Sequence, residues 1–185
     1  MSLQHSASVA LGKALRSVHA GDAKLAAHRL VAGRPASLEV TSPAFLAGAK
    51  LPYWATKDGV GVAPRLEWSA VPAQTRSIAI VCEDPDAPFP RPFVHWMVWD
   101  IPPTSRVIDP AVRDIPRQGK NSAMRPGFAP AAPPAGHGVH RYHFQVFALD
   151  CLVELEAGAG RSALIDAMRG HVVAWGELIG TWERG

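Results

Sequence analysis

Two carboxylates and two histidines stand close to the ends of apolar runs in this sequence. Asp84 and Asp86 flank Pro85 directly after one such run. His95 lies within an aromatic run, and His140 opens a third run. Because a proline fixes the backbone between the two carboxylates, we expect one carboxylate to face a pocket and the other to cap local amides. Protonated imidazoles donate strong hydrogen bonds to anionic oxygens, so these side chains are candidates for an anion-binding site.

Each of these features also has a simpler interpretation. Asp-Pro-Asp is a common turn in which both carboxylates merely cap the loop. A histidine on a mostly apolar strand face is more often a packed core residue than a ligand-binding one. The functional interpretation is favoured because the three separate positions Asp84, His95 and His140 converge if their strands are neighbours.

Enzymatic alternatives use some of the same residues. A metal-dependent hydrolase would draw its ligands from Asp84, Asp86, His95, His137, His140 and His143. His140 and His143 are three residues apart and point to opposite faces of a strand, so they share an ion only if no strand has begun there. A nucleophilic hydrolase is disfavoured because the sequence has no Gly-x-Ser-x-Gly motif and both cysteines flank apolar runs. We therefore expect no catalytic residue, no metal ion and no cofactor.

Short apolar runs bounded by prolines predict a mainly β protein. The run at 77–82 is nearly continuous and rich in β-branched residues, which is typical of a central strand buried on both faces. Alternation within 93–101 predicts that His95 and Trp96 lie on opposite faces of their strand. Residues 85–134 include 12 prolines, which exclude helices from this part of the chain. The predicted strands are 36–41, 65–69, 76–83, 93–101 and 141–149.

Helical spacing is found at both ends of the chain. Near the N-terminus this spacing joins Val9, Leu11, Leu15, Val18 and Leu25. Near the C-terminus it predicts helices at 162–169 and 171–182, separated by Gly170 as a helix stop. The element pattern predicts an antiparallel β-sandwich with an N-terminal helix and C-terminal helices. The corresponding division is an N-terminal amphipathic helical extension at 1–33 and one domain at 34–185.

The apolar stripe of the N-terminal helix must be buried against something. A symmetric homodimer is the simplest solution, and packing on the helix's own domain fits the same pattern. The segment has no acidic residue before Asp22 and also fits a mitochondrial transit peptide, which we place second. Secretion is disfavoured because basic residues interrupt every apolar stretch up to Leu30. We expect a cytoplasmic homodimer.

Composition limits the classes of partner. The chain has 185 residues, 48% of them hydrophobic, which suits one domain with a full core. No apolar stretch approaches the roughly 18 residues of a membrane span. The net charge of +3 comes from dispersed basic residues, which argues against nucleic acid as the main partner. The two cysteines, Cys82 and Cys151, do not indicate a disulfide framework.

A series of motifs links these elements in a fixed order. They are Pro-Arg-Leu-Glu-Trp at 64–68, Val-Pro at 71–72, Asp-Pro-Asp-Ala-Pro at 84–88, Val-His-Trp at 94–96, Ile-Pro at 101–102, Pro-Pro at 133–134, His-Arg-Tyr-His-Phe at 140–144, Gly-His-Val-Val-Ala at 170–174 and Leu-Ile-Gly-Thr at 178–181. In their order and spacing they resemble the phosphatidylethanolamine-binding proteins, a family that includes Raf kinase inhibitor proteins and small bacterial members. The resemblance covers nearly the whole chain beyond residue 36.

The resemblance implies an antiparallel β-sandwich with a small surface pocket for phosphate, phosphorylated head groups or similar anions. Matched by motif, the residues implied to line this pocket are Asp84, Ala87, Pro88, Phe93, His95, Pro133, His140 and Tyr142. The residues implied to support its loops are Asp86, Trp96 and Arg141.

The sequence departs from the family pattern along one wall of the implied pocket. Residues 127–134 read Gly-Phe-Ala-Pro-Ala-Ala-Pro-Pro, whereas relatives usually have Gly-Tyr-Arg-Gly-Pro-Cys-Pro-Pro. Pro130 removes a backbone N–H that the usual glycine would offer to a ligand. Phe128 and Ala132 remove further polar atoms, so we expect small anions rather than lipids.

The expected function is therefore that of a non-enzymatic binding protein, and the resemblance to Raf kinase inhibitors implies modulation of a kinase or protease. His95 and His140 would donate charge-assisted hydrogen bonds to the anion, with Asp84 orienting one imidazole. Binding should then strengthen as the pH falls from about 8 to about 6.

Overall fold

The computed structural model describes residues 3–111 and 115–185, with side chains from residue 7 onward. The helices are α1 (Leu3–Ala14), α2 (Ala26–Leu30) and α3 (Arg161–Met168), with 3-10 turns at Asp22–Lys24 and Tyr53–Ala55. The strands are β1 (Val40–Thr41), β2 (Leu66–Trp68), β3 (Ser77–Asp84), β4 (Phe93–Ile101), β5 (Val107–Ile108), β6 (Arg117–Gln118), β7 (His140–Leu149) and β8 (Val172–Trp182).

The strands form two antiparallel sheets. A five-stranded sheet has the order β6-β4-β3-β7-β8, and a three-stranded sheet has the order β1-β2-β5. This confirms the predicted mainly β fold with antiparallel sheets and few helices. The strand predicted at 36–41 is shorter than expected, because only Val40 and Thr41 pair with β2.

Both faces of the five-stranded sheet are covered. On one face Ile80 and Phe144 join Leu66 and Trp68 of the three-stranded sheet in a single buried cluster. On the other face α2 and α3 cover the sheet, and Leu164 lies in a second cluster. The double coverage explains why all eight residues of β3 are buried, as its continuous apolar run predicts.

The helix predicted at 171–182 is wrong, and the helix predicted at 162–169 is present as α3. Residues Val172–Trp182 form β8 and pair with β7 along its whole length. Buried and partly buried residues alternate along β8 with a period of two. Glycines at 176 and 180 weaken a helix, and a Cβ at Gly176 would lie 2.1 Å from the carbonyl oxygen of Leu38. Close packing against the 37–38 segment therefore selects the strand.

The strict alternation predicted for β4 is broken at His95. Cys82 pairs with Trp96 and Glu83 pairs with Val94, so His95 is the extra residue of a β-bulge. As a consequence His95 and Trp96 both face Phe128, with ring centroids 6.3 Å from it in each case. The bulge turns His95 out of the sheet and toward the loops.

The N-terminal helix packs against the segment 135–137 of its own chain. A Cβ at Gly12 would lie 2.0 Å from a carbonyl oxygen of that segment, and a Cβ at Gly136 would lie 2.8 Å from a carbonyl oxygen of α1. Nε of Arg16 donates a hydrogen bond of 2.9 Å to the carbonyl oxygen of Gly136. The backbones therefore meet closely at positions where only glycine fits.

The predicted apolar stripe does not lie on one helix, because α1 ends at Ala14 and Leu15, Val18 and Leu25 follow it; the stripe residues are divided between buried and exposed positions. Leu25 is 2% exposed, whereas Leu11 and Val18 are 62% and 44% exposed. Packing on the same chain accounts for part of the stripe, and the homodimer stays a prediction. No helix in the described part of the chain is long and apolar enough to cross a membrane.

Candidate functional site

A cavity of about 240 Å³ opens between the Asp84 loop, the start of β4 and the segment 130–134. We call this cavity the Asp84 pocket. Its lining residues are Asp84, Ala87, Pro88, Phe89, Phe93, His95, Pro130, Ala132, Pro133, Pro134 and His140. The structure thus brings together every residue predicted to line a pocket except Tyr142, which lies behind His95.

Asp84 alone has the two roles that the sequence analysis assigned to different carboxylates, because it both caps local amides and faces the pocket. Its Oδ1 accepts hydrogen bonds from the backbone amides of Asp86 and Ala87, at 2.8 and 3.0 Å. Its Oδ2 lies 2.7 Å from Nδ1 of His140, and both side chains are almost completely buried. Asp84 therefore closes the turn after β3 and fixes the orientation of the imidazole.

His140 belongs to a chain of hydrogen bonds that leads away from the pocket. Its Nε2 lies 2.8 Å from Nδ1 of His137, and Nε2 of His137 lies 2.8 Å from the carbonyl oxygen of Leu15. These two bonds and the bond to Asp84 need three protons, whereas an ionised carboxylate and two neutral imidazoles carry two. All three bonds form together only when one additional proton is held between Asp84 and His140. Both ring nitrogens of His140 are engaged within the protein.

His95 has one engaged ring nitrogen and one free. Nδ1 lies 2.6 Å from the carbonyl oxygen of Ala129, which can only accept, so Nδ1 carries the proton. Nε2 is buried and has no hydrogen-bond partner among the described residues. Burial lowers the pKa of His95, and the nearby Asp84 and the bond to Ala129 offset only part of this effect. Nε2 of His95 is therefore a hydrogen-bond acceptor, and the predicted protonation of His95 beside a bound anion stays a prediction.

Tyr142 supports His95 from the sheet. Its ring meets the His95 ring edge-on, with centroids 5.0 Å apart. Burial, followed by the nearby Asp84 carboxylate, raises the pKa of Tyr142 far above its ordinary value, so the phenol stays protonated. Its hydroxyl is buried and has no hydrogen-bond partner within the described residues.

Asp86 and Arg141 brace the loop outside the pocket. Oδ2 of Asp86 accepts from the backbone amide and Nε of Arg141, both at 2.9 Å, and Oδ1 accepts from Nη2 at 2.7 Å. The same guanidinium bonds to both carboxylate oxygens of Asp22, at 2.8 and 3.0 Å. Burial alone would raise the pKa of Asp86, but the hydrogen bonds from Arg141 outweigh it and hold the pKa below its ordinary value.

Trp96, the third predicted support, holds the strand next to the pocket. Its Nε1 donates a hydrogen bond of 2.9 Å to Oε1 of Gln118 on β6. Its ring packs edge-on against Phe128. It therefore fixes the inner end of the wall that carries Pro130 and Ala132.

Two features of the site escaped the sequence analysis. Phe89 forms part of the apolar wall, with its ring centroid 5.9 Å from that of Phe93. Its position directly after Asp-Pro-Asp-Ala-Pro was the available signal. His137 appeared only as a possible metal ligand, and nothing in the sequence indicates that it bonds to both His140 and the N-terminal segment.

The hydrolase alternatives gain no support from the geometry. β7 begins at His140, and His143 points to the opposite face, where its Nδ1 lies 3.0 Å from Glu177. In the described part of the chain, three potential metal ligands lie within 4.8 Å of one another only at Asp150, Cys151 and His171. That group lies beyond the opposite end of β7 from the Asp84 pocket.

Comparisons with known proteins agree with the fold. The phosphatidylethanolamine-binding protein family matches residues 41–183 of this chain. A UPF0098 protein of Methanothermobacter thermautotrophicus is 37% identical over 154 residues, which cover 80% of this chain and 100% of that protein.

Two solved structures are similar over most of the chain. One is a putative phosphatidylethanolamine-binding protein homologue of Chlamydia trachomatis, with 34% identity and a TM-score of 0.76, covering 82% of this chain and 100% of that one. The other is Escherichia coli YbcL, described as a member of the mammalian family, with 29% identity and a TM-score of 0.76, covering 81% of this chain and 100% of that one. The chain therefore belongs to the phosphatidylethanolamine-binding protein family.

Proposed function

We propose that this protein is a non-enzymatic binding protein whose Asp84 pocket holds the phosphate group of a small phosphate monoester. The observation that carries this proposal is Nε2 of His95, a buried polar atom in a pocket-lining residue with no partner among the described residues. Leaving such an atom unpaired costs roughly 1–3 kcal/mol, and a ligand group that pairs with it removes this penalty.

The protonation of His95 defines what the ligand must supply. Because Nδ1 carries the ring proton, Nε2 accepts a hydrogen bond, and a phosphate oxygen must bring a proton to it. A phosphate monoester has its second ionisation near pH 6, so the proton is available from the ligand or from solvent. Binding of the dianion therefore takes up a proton, and affinity increases as the pH falls from about 8 to about 6.

The second polar contact comes from His140. Its Nε2 lies 2.8 Å from Nδ1 of His137, and movement of the His137 ring frees this nitrogen to donate to a ligand oxygen. The remaining wall consists of two phenylalanines, two alanines and four prolines, which suits an apolar substituent on the phosphate. A volume of about 240 Å³ accommodates a head group or aryl phosphate and not a whole lipid.

Calorimetric titration with phenyl phosphate at pH 6, 7 and 8 tests this proposal. We expect one bound equivalent, with affinity that rises toward low pH by at most about tenfold per pH unit. His95→Phe should weaken binding at pH 6 about tenfold or more, since a charge-assisted hydrogen bond is lost. The matched control is His28→Phe, because His28 is exposed and lies outside the pocket. Affinity that is constant from pH 6 to 8 in the wild type would contradict the proposal without reference to any variant.

The proposed redirection of His140 has its own test. In His137→Ala the Nε2–H of His140 no longer has its internal acceptor, so phenyl phosphate should bind more tightly than in the wild type. Unchanged or weaker binding by a folded His137→Ala variant would show that His140 does not donate to the ligand.

Modulation of a kinase or protease is the broader part of the proposal, and it rests on the family resemblance. His140→Ala separates the two activities. Loss of both phosphate binding and inhibition of a candidate enzyme would place both activities at the Asp84 pocket. Loss of phosphate binding alone would assign any inhibition to another surface.

The proposal also includes a cytoplasmic homodimer formed through the exposed part of the N-terminal stripe. Leu11 on α1 and Val18, four residues beyond the end of α1, carry the argument, because both are exposed apolar side chains on the same segment. Light scattering should give twice the chain mass for the wild type and for Leu46→Glu, and the single chain mass for Leu11→Glu. A wild-type mass equal to that of one chain would contradict the proposed homodimer.

A further inference from the structure

A second cavity lies on the other side of the loop that carries Phe89. It has a volume of about 300 Å³ and lies between the N-terminal segment, residues 90–92 and the beginning of α3. We call it the basic cleft, defined by Lys24, Arg29, Arg91 and Arg161 with Ser162 and Asp166. We propose that the basic cleft is a second anion site and that it binds a diphosphate group.

Three of its four cations have no ionic partner in the described part of the chain. Arg161 is neutralised by Glu83, and its guanidinium also donates to the carbonyl oxygen of Lys24 at 2.6 Å. The acidic residue of the cleft, Asp166, pairs with Arg169 at 3.0 Å. No carboxylate oxygen lies within 4.0 Å of the charged nitrogens of the three remaining cations, Lys24, Arg29 and Arg91. The cleft thus concentrates about three uncompensated positive charges on a chain whose formal net charge is +3.

The walls of the cleft are held in place by buried contacts. Glu83 is completely buried and accepts hydrogen bonds from the backbone amide of Ala26 at 2.7 Å and from Nε2 of Gln145 at 3.0 Å, in addition to Arg161. Nζ of Lys24 donates to the carbonyl oxygen of Pro90 at 3.0 Å and so joins the N-terminal segment to the loop. The cations therefore extend from a fixed frame, which reduces the ordering entropy that a ligand must overcome.

The chemistry of the cleft favours a compact, multiply charged oxyanion. Arginine guanidinium groups bind phosphate oxygens in pairs, and lysine adds a point charge. A single phosphate carries at most two negative charges near neutral pH, whereas a diphosphate carries about three and matches the uncompensated cations. The cleft has the size for a diphosphate that is free or part of a small nucleotide.

The basic cleft is independent of the Asp84 pocket. Lys24 and Arg29 precede residue 41, where the match to the family begins. No residue lines both cavities, although both use the loop between Pro88 and Phe93. The N-terminal segment therefore supplies two of the three uncompensated cations and gives this chain a site that the family domain alone does not contain.

Calorimetric titration of the full chain with pyrophosphate at pH 7.5 tests the inference. We expect one bound equivalent and at least about a tenfold loss of affinity in Arg29→Gln/Arg91→Gln. The matched control is Lys57→Gln/Arg125→Gln, which removes the same charge from exposed residues outside the cleft and should change affinity less than about twofold. Circular dichroism checks that both double variants are folded, which their exposed positions lead us to expect.

Three results would overturn the inference. They are no binding of pyrophosphate by the wild type, equal losses in the two double variants, and a loss in His140→Gln with Arg29→Gln/Arg91→Gln unchanged. The last result would place the anion in the Asp84 pocket. If pyrophosphate binding follows the cleft variants, titration with ADP identifies the source of the diphosphate: tighter binding than pyrophosphate indicates a nucleotide, and equal binding indicates that the diphosphate group suffices.

Discussion

Replacement of Asp84 by asparagine should leave the hydrogen-bonded chain intact while removing its additional proton. The asparagine oxygen can accept from the amides of Asp86 and Ala87, and the asparagine NH₂ can donate to Nδ1 of His140. His140 then needs a proton only on Nε2, from which it still donates to His137. All of these bonds are satisfied by two neutral imidazoles.

The expected change in stability follows from the bonds that are exchanged. Asp84→Asn replaces a charge-assisted hydrogen bond of about 1.5–3 kcal/mol by a neutral one of about 0.5–1.5 kcal/mol, a loss of about 1 kcal/mol. Asp84→Ala leaves two amides and one imidazole nitrogen without their partner, at about 1 kcal/mol or more each, a loss of about 3 kcal/mol or more. The two variants should therefore differ by about 2 kcal/mol.

Urea denaturation at pH 7 measures the difference in the free energy of unfolding, and nitrogen NMR of the histidines reports the protonation of His140. The wild type should show protons on both ring nitrogens of His140, and Asp84→Asn on Nε2 alone. Equal stability losses in the two variants, or two protons on His140 in Asp84→Asn, would refute the proton count.

Three further predictions concern the fold around the site. Gly176→Ala places a Cβ 2.1 Å from a backbone carbonyl oxygen and should lower the free energy of unfolding by about 3 kcal/mol in urea denaturation. Gly160→Ala meets no atom within 4 Å but changes the N-cap of α3, so it should cost about 1 kcal/mol or less. Arg161→Ala leaves the buried Glu83 carboxylate without its cation and should lower the free energy of unfolding by about 3–5 kcal/mol, measured by thermal denaturation. A loss below about 1 kcal/mol would contradict the role of this ion pair. Burial lowers the pKa of His95, so below about pH 6.5 the unfolded chain binds more protons than the folded chain. The free energy of unfolding therefore decreases as the pH falls below about 6.5. Thermal unfolding of His95→Phe should lack this part of the pH dependence.

Local sequence was sufficient to predict most of the five-stranded sheet. The runs that became β3, β4 and β7 are rich in β-branched and aromatic residues and are bounded by prolines or glycines, so their own backbone preferences agree with the final structure. The turn at Asp84 was predictable for the same reason, because an aspartate that caps the amides of the next residues needs no distant partner. The family motifs then placed the loops around one pocket.

The tertiary structure decided two features of the sheet that local pattern could not. β8 has apolar residues at spacings that fit a helix or a strand, and pairing with β7 together with close contact at Gly176 selects the strand. His95 faces the pocket because a bulge inserts it between two ladder pairs, and alternation alone would have placed it differently. Both outcomes depend on neighbours that are distant in sequence.

The hydrogen-bonded chain through His140 shows most clearly what the sequence determines and what only the tertiary structure decides. The sequence determined which side chains can exchange protons, since residue types and strand positions fixed Asp84, His95 and His140 at one end of the sheet. Only the tertiary structure decided which nitrogens are engaged, because His137 and the carbonyl oxygen of Leu15 reach the site from separate segments. A hydrogen bond depends on the donor–acceptor distance to within a few tenths of an ångström, and the periodicity of a sequence does not specify that distance between separate segments.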